Sequence, residues 1–260
     1  MANHNVITGR QLIKKMPAVV PVLPKLIKGI MIANSRNKEK NVGLGICFER
    51  AVARNPSGLA LKYQDVEISY SQLNDWVNKI AHYFMSIGIQ KSDCVGIMIE
   101  NRPELLATVL ACSKIGAVSA MINTSQKGKV LTHSITLVSP KLMIVGEECL
   151  ASYENIREKI DLPDNMHLYF ADLNTLSDKG SCPSHWLNLA SESYNQPRHN
   201  PEQTQQIFSE DPCFYIYTSG TTGLPKAVVF NHGRFMKLYG TFGYITVRLK
   251  KDDRLYVPLP

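Results

Sequence analysis

Between Thr218 and Lys226, in the stretch YTSGTTGLPKA, nine residues hold four hydroxyl side chains, two glycines and a lysine. A polyphosphate carries negative charge on oxygens that only accept hydrogen bonds. Hydroxyl donors, backbone N–H groups presented by glycine turns and one fixed positive charge together match that need. Thr218, Ser219, Gly220, Thr221, Thr222 and Gly223 are the candidate phosphate contacts, and Lys226 is the candidate catalytic charge. A plain connection between two core strands has no use for this set of residues.

The elements on either side must position the loop. It follows the apolar run CFYIY and precedes VVF, so it is expected at the carboxyl end of a buried strand, where open α/β sheets bind ligands. The Walker A pattern does not apply. Counted from Gly220, it requires Gly at 225 and Ser or Thr at 227, where this chain has Pro225 and Ala227. Upstream, CVGIMI, AVSAMI, KLMIVG and HLYFA read as apolar strands without polar alternation. Helical spacing separates them in the segments beginning at Ser71, Asn101, Lys127 and Cys149, with Ser71 and Asn101 as expected caps and Gly116 as a helix terminator. Such alternation predicts an α/β fold with a largely parallel sheet flanked by helices. LALKY and EISY read as a hairpin, and Asp172–Glu210 as an irregular polar connection. The expected organisation is a basic apolar segment over 1–42, an α/β subdomain over 43–171, the connection over 172–210, and a second α/β subdomain starting at 211–260.

Charge excludes one class of function. The first forty residues hold eight basic side chains against Glu39 alone, a net +7 that equals the net charge of all 260 residues. The rest is balanced, which argues against a nucleic-acid-binding face. The terminal segment QLIKKMPAVVPVLPKLIKGIMI has two readings: a peripheral membrane contact through residues 1–40, or an arm packed on its own protein. Its prolines at 17, 21 and 24 are expected to break any continuous helix. No apolar window reaches the length of a spanning helix. Six scattered cysteines, with no C-x-x-C pair, argue for a reducing, cytoplasmic setting and against a zinc site.

YTSGTTGLPKA resembles the phosphate-binding signature of the adenylate-forming (AMP-binding) superfamily. YIYTSGTTGLPKAVVFNHGRF, MIENRPELLATVLACSKIGAVSAMINT and LTHSI are similar to its fatty-acid transport protein and very-long-chain acyl-CoA synthetase branch. The resemblance covers residues 43 to 260 and implies the N-terminal portion of an acyl-CoA synthetase-like adenylation domain. It also implies ATP, Mg²⁺ and coenzyme A as reactants and cofactor, with a long- or very-long-chain fatty acid as substrate. In such a reaction the loop residues contact the β- and γ-phosphates. His232 is a candidate contact to the acyl chain, or a structural residue. Arg234 approaches phosphate or starts a helix, and Asn101, Arg102 and Glu104 serve a site or a helix N-terminus. The family's adenine motif, acidic metal ligand and C-terminal lysine are implied to lie beyond Pro260, so these 260 residues are not expected to complete the reaction alone. Two alternatives stand beside the ligase reading: a non-catalytic, membrane-associated lipid-handling module, and an adenylate-forming enzyme with another carboxylate substrate.

Overall fold

The computed structural model describes residues 9–33, 42–173, 182–219, 223–250 and 253–257. The chain divides into two compact units, Met1–Arg36 with Met236–Arg254, and Asn37–Phe235 with Leu255–Pro260.

In the first unit, α1 (Gly9–Val19) and α2 (Leu23–Ala33) are joined by a 3₁₀ turn at Val20–Val22. As expected, no continuous helix runs through the three prolines, and the break falls at the 3₁₀ turn that contains Pro21. Pro17 lies in the last turn of α1, Pro21 opens the 3₁₀ turn, and Pro24 is the second residue of α2, where a missing N–H removes no intrahelical bond. α2 packs against a π-helical segment, Tyr239–Val247. Gly29 makes this approach possible: a Cβ there would sit 2.9 Å from the Gly240 carbonyl oxygen and collide with the Ile245 side chain. Among the described residues no helix is long and apolar enough to cross a membrane.

The second unit is a three-layer α/β structure. It begins with α3 (Leu44–Arg54), the hairpin β1 (Leu59–Tyr63) and β2 (Val66–Ser69), and α4 (Tyr70–Ser86). Then β3 (Cys94–Met98), α5 (Pro103–Ile115), β4 (Val118–Met121), α6 (Gly128–Val138), β5 (Leu142–Gly146), α7 (Leu150–Glu154) and β6 (His167–Phe170) alternate. A two-residue strand β7 (Leu187–Asn188), α8 (Leu189–Ser193), β8 (Pro212–Thr218), β9 (Lys226–Asn231) and α9 (His232–Leu238) complete it, α9 running into the first unit. Seven strands form one sheet in the order β7-β6-β5-β3-β4-β8-β9, parallel throughout except for β9, which runs antiparallel to β8.

The unbroken apolar strands follow from this layering. Alternate residues of a strand point to opposite faces, and here both faces are covered. Val95, Ile97, Leu142, Ile144, Leu168 and Phe170 meet α3, α4, α5 and α8 through Phe48, Val77, Ala107 and Leu189. Cys94, Met98, Met143, Val145 and Tyr169 meet α6 and α7 through Leu131, Ile135 and Tyr153. All six cysteines are free thiols. Burial pushes those of Cys94, Cys112 and Cys149 up to about 12, which keeps them protonated at neutral pH.

Three boundaries differ from the sequence expectation. α4 is capped by Ser69, not Ser71: Ser69 Oγ accepts from the Gln72 N–H at 3.2 Å while Gln72 Oε1 accepts from the Ser69 N–H at 2.8 Å. This reciprocal box is worth about 1 kcal/mol. The cap of α5 is Arg102, with Pro103 as its first residue, and the helix ends as expected at Gly116 in the left-handed region (φ 77°). The helix expected over CLASYENIREKI stops at Glu154. Asn155 Nδ2 donates to the Ala151 carbonyl at 2.9 Å, and the chain turns to bury Ile156 and Ile160. Residues 182–210 are polar yet partly ordered into β7, α8 and a 3₁₀ segment at Glu202–Gln206. Because β8 pairs with β4, one sheet runs through both segments that the sequence separates at this connection.

Candidate functional site

The candidate loop is the connection of a β-hairpin on the sheet's outer strands. At its neck Tyr217 pairs with Ala227 and Thr218 with Lys226, so the last residue of β8 and the first of β9 face each other. Gly220, Thr221 and Thr222 lie outside the described residues. Thr218, Ser219, Gly223 and Lys226 are exposed, and Gly223 holds φ 85°, a conformation a side chain would strain. β8 is less buried than its sequence suggests. Cys213 is its one fully covered side chain, and Ile216 is 40% exposed, although β8 is flanked by β4 and by the edge strand β9.

The carboxyl ends of β3, β4 and β8 open on a cavity of about 600 Å³. Ile97, Ile99, Leu105, Met121 and Ile122 form its apolar walls, Asn101, Asn123, Thr124 and Gln126 give it polar groups, and Thr218, Ser219 and Gly223 reach it from the loop. Lys226 borders a second cavity of about 550 Å³, shared with His133, Tyr215 and Leu224, and Pro225 lines both. Among the described residues no carboxylate lines either cavity. Among the described residues no cluster of three or more His, Cys, Asp or Glu could hold a metal ion.

His232 is not brought to the loop. β9 runs away from it, so Asn231 lies opposite Pro212 at the start of β8, the far end of the sheet. The imidazole is fully buried, and its Nδ1 accepts from the Leu44 N–H at the start of α3, at 3.1 Å. Burial pushes the ring down to about 4, with Asp211 opposing, so it is neutral at pH 7. Of the two sequence readings of His232 this contact is the structural one, tying the start of α9 to the start of α3. Arg234 belongs to a helix start: its N–H donates to Asn231 Oδ1 at 2.8 Å, and its guanidinium lies 5.0 Å from the Phe230 ring centre.

Arg102 and Glu104 are structural as well, though Arg102 makes no side-chain cap hydrogen bond to α5. Arg102 pairs with Glu104 at 2.9 Å and Glu148 at 3.1 Å, and donates to the carbonyls of Phe170 and Ala171 at 2.7 and 3.0 Å. Glu148 in turn accepts from the Glu100 N–H, and Glu104 from the Leu173 N–H, both at 2.7 Å. Burial pushes the Glu104 carboxyl up while Arg102 pulls it down. This cluster ties the carboxyl ends of β3, β5 and β6, whereas the larger cavity opens at β3, β4 and β8. Asn101, by contrast, lines that cavity.

Sequence reasoning missed the contribution of α6. His133 Nε2 lies 3.1 Å from the Pro225 carbonyl oxygen, and the Tyr217 hydroxyl donates to the Ser134 carbonyl at 2.6 Å. LTHSI was legible as a helix containing a histidine, but nothing in its own spacing points to a loop some ninety residues away.

Comparison with known proteins gives a consistent assignment. The chain is 29% identical over 257 residues to the medium/long-chain-fatty-acid–CoA ligase FadD6 of Mycobacterium tuberculosis, covering 99% of this chain and 40% of that protein. It is 31% identical over 219 residues to the mouse long-chain fatty acid transport protein 1, covering 82% and 33% respectively. The chain thus spans well under half the length of these relatives. The fold matches the crystal structure of the anthranilate CoA ligase AuaEII in complex with anthranoyl-AMP with a TM-score of 0.72, at 22% identity over 81% of this chain and 39% of that one. Residues 48–260 match the model of the AMP-binding enzyme family, loop and sheet included, and the chain belongs to that family.

Proposed function

We propose that this chain is the N-terminal, phosphate-gripping part of an AMP-forming fatty-acid–CoA ligase, acting on a long- or very-long-chain substrate. The hairpin neck carries the proposal: hydroxyls, a left-handed glycine and a lysine sit at the carboxyl edge of the sheet, beside an apolar cavity. The names of the relatives support the fatty substrate.

In the first step a carboxylate oxygen attacks the α-phosphorus of ATP. The bond to the β-phosphate bridging oxygen breaks, and pyrophosphate leaves. In the second, the thiol sulfur of coenzyme A attacks the acyl carbonyl carbon, AMP departs, and the thiol proton passes to solvent. The chain's own residues act on the leaving group. Thr218, Ser219, Thr221 and Thr222 supply hydroxyl donors by residue type, glycine at 220 and 223 permits turns that present backbone N–H groups, and Lys226 adds charge to the β- and γ-phosphates. Fixed donors of this kind stabilise charge that develops on pyrophosphate as the bond breaks. This donor set fits the triphosphate of ATP. It does not fit Mg²⁺, because among the described residues neither cavity offers an acidic ligand.

Calorimetry on the 260-residue chain tests the reading. Pyrophosphate and ATP should bind with similar, weak affinity and AMP should not bind, because a few charge-assisted contacts must offset about 4–15 kcal/mol of lost translational and rotational freedom. Absence of pyrophosphate binding would overturn the assignment of the loop. Tight AMP binding would reveal an adenosine site absent from this account.

A peripheral membrane contact by an otherwise cytoplasmic protein is the second part of the proposal. Ile13, Met16, Val20, Ile27 and Met31 of the first unit are 51–68% exposed. Arg10, Lys14, Lys15, Lys25 and Lys28 accompany them, with no acidic residue between Gly9 and Ala33. Apolar side chains beside lysines suit the interface of an anionic bilayer. Deleting residues 1–40 should abolish sedimentation with phosphatidylserine vesicles, and 1 M salt should weaken binding of the undeleted chain as the Debye length falls to about 3 Å. Equal sedimentation with and without the segment would favour the packed-arm reading.

A further inference from the structure

We infer that His133 is a positioning residue for the phosphate loop, fixing the peptide that carries Lys226. The inference rests on the reading of that loop as phosphate-binding. Two consecutive residues of α6 hold the two limbs of the hairpin neck. Ser134 accepts through its carbonyl from the Tyr217 hydroxyl, one residue before Thr218 on the β8 limb. His133 reaches the Pro225 carbonyl, one residue before Lys226 on the β9 limb. α6 therefore spans the neck from outside the sheet, and β9 is the sheet's last strand.

The chemistry of the contact is directional. A carbonyl only accepts, so the ring must donate, which sets the Nε2–H tautomer. Pro225 has no N–H, and its carbonyl is the one polar backbone group it can be held by. That carbonyl shares a planar peptide with the Lys226 nitrogen, so anchoring the oxygen also fixes the direction in which the chain enters Lys226. The strand register holds Lys226 opposite Thr218, and the Pro225 carbonyl lies just outside it, at the last peptide of the connection. The ammonium rides on a flexible four-carbon stem, and a fixed root limits where it can go. His133 touches no phosphate in this scheme; it acts through Pro225.

The test compares pyrophosphate titrations of the unsubstituted 260-residue chain, His133→Leu and His133→Gln. Leucine fills space without a donor, whereas the glutamine amide can donate from nearly the same place as Nε2. His133→Leu should weaken pyrophosphate binding by about tenfold, and His133→Gln should stay within about threefold of the parent. Proton–nitrogen correlation spectra of the parent should show His133 protonated at Nε2. Tyr217→Phe, which releases the other limb, should also weaken binding, and it keeps the test open if His133→Leu fails to fold by circular dichroism. Binding by the parent with equal affinity in the folded variants would overturn the inference alone. No binding by the parent would overturn the phosphate reading and this inference with it.

Discussion

Lys226→Ala in the full-length ligase proposed here is expected to slow adenylate formation by about 30- to 900-fold, read as exchange of label between pyrophosphate and ATP. The figure corresponds to about 2–4 kcal/mol, the usual effect of removing one preorganised donor from a transition-state oxyanion. The structure indicates why the loss should fall on chemistry rather than folding. Lys226 is exposed, and its backbone pairing with Thr218 does not depend on its side chain. Unfolding midpoints of the variant and the parent should therefore coincide. Lys226→Arg should recover part of the rate, since it restores charge but offers a planar fork in place of a compact ammonium. An unchanged exchange rate in Lys226→Ala would remove this residue from the site, and a lowered midpoint would mean that the side chain also supports the hairpin.

How much of this was legible in the sequence depends on the range of the interactions. The four apolar strands from Cys94 to Phe170 and their parallel order follow from local pattern, because a strand covered on both faces has no polar alternation to hide. The loop was legible because its residue types are crowded into one short segment. Long-range contacts were not. The buried Lys114 ammonium donates to Asn74 and Asn78 at 2.7 Å and to Asn200 at 2.9 Å, joining α4, α5 and a segment more than eighty residues away. Burial pushes it down to about 8, opposed by Glu49. A lysine at that position of an apolar helix gives no hint of these partners. Of its two readings, His232 shows the structural one: six residues after Lys226 in sequence, it is carried by an antiparallel strand to the far end of the sheet. His133 is the converse, distant in sequence and adjacent in the fold.

The buried Arg102 cluster supplies the second large effect. Arg102→Met should destabilise the chain by about 3–5 kcal/mol, because it leaves the Glu104 carboxylate buried without its partner. Arg102 and Glu104 side chains are 3% and 0% exposed, so water cannot replace the lost contact. The methionine fills most of the volume, which confines the effect to charge and hydrogen bonds. Two carbonyls, those of Phe170 and Ala171, also lose their donors at the end of β6. The double variant Arg102→Met/Glu104→Gln should recover a substantial part of the stability, since an uncharged amide costs far less to bury than an unpaired carboxylate. Urea unfolding of the parent, the single variant and the double variant measures both terms. A loss below about 1 kcal/mol in the single variant would mean that Glu104 readily takes up a proton or reaches water. In that case the cluster would not be what ties β3, β5 and β6 together.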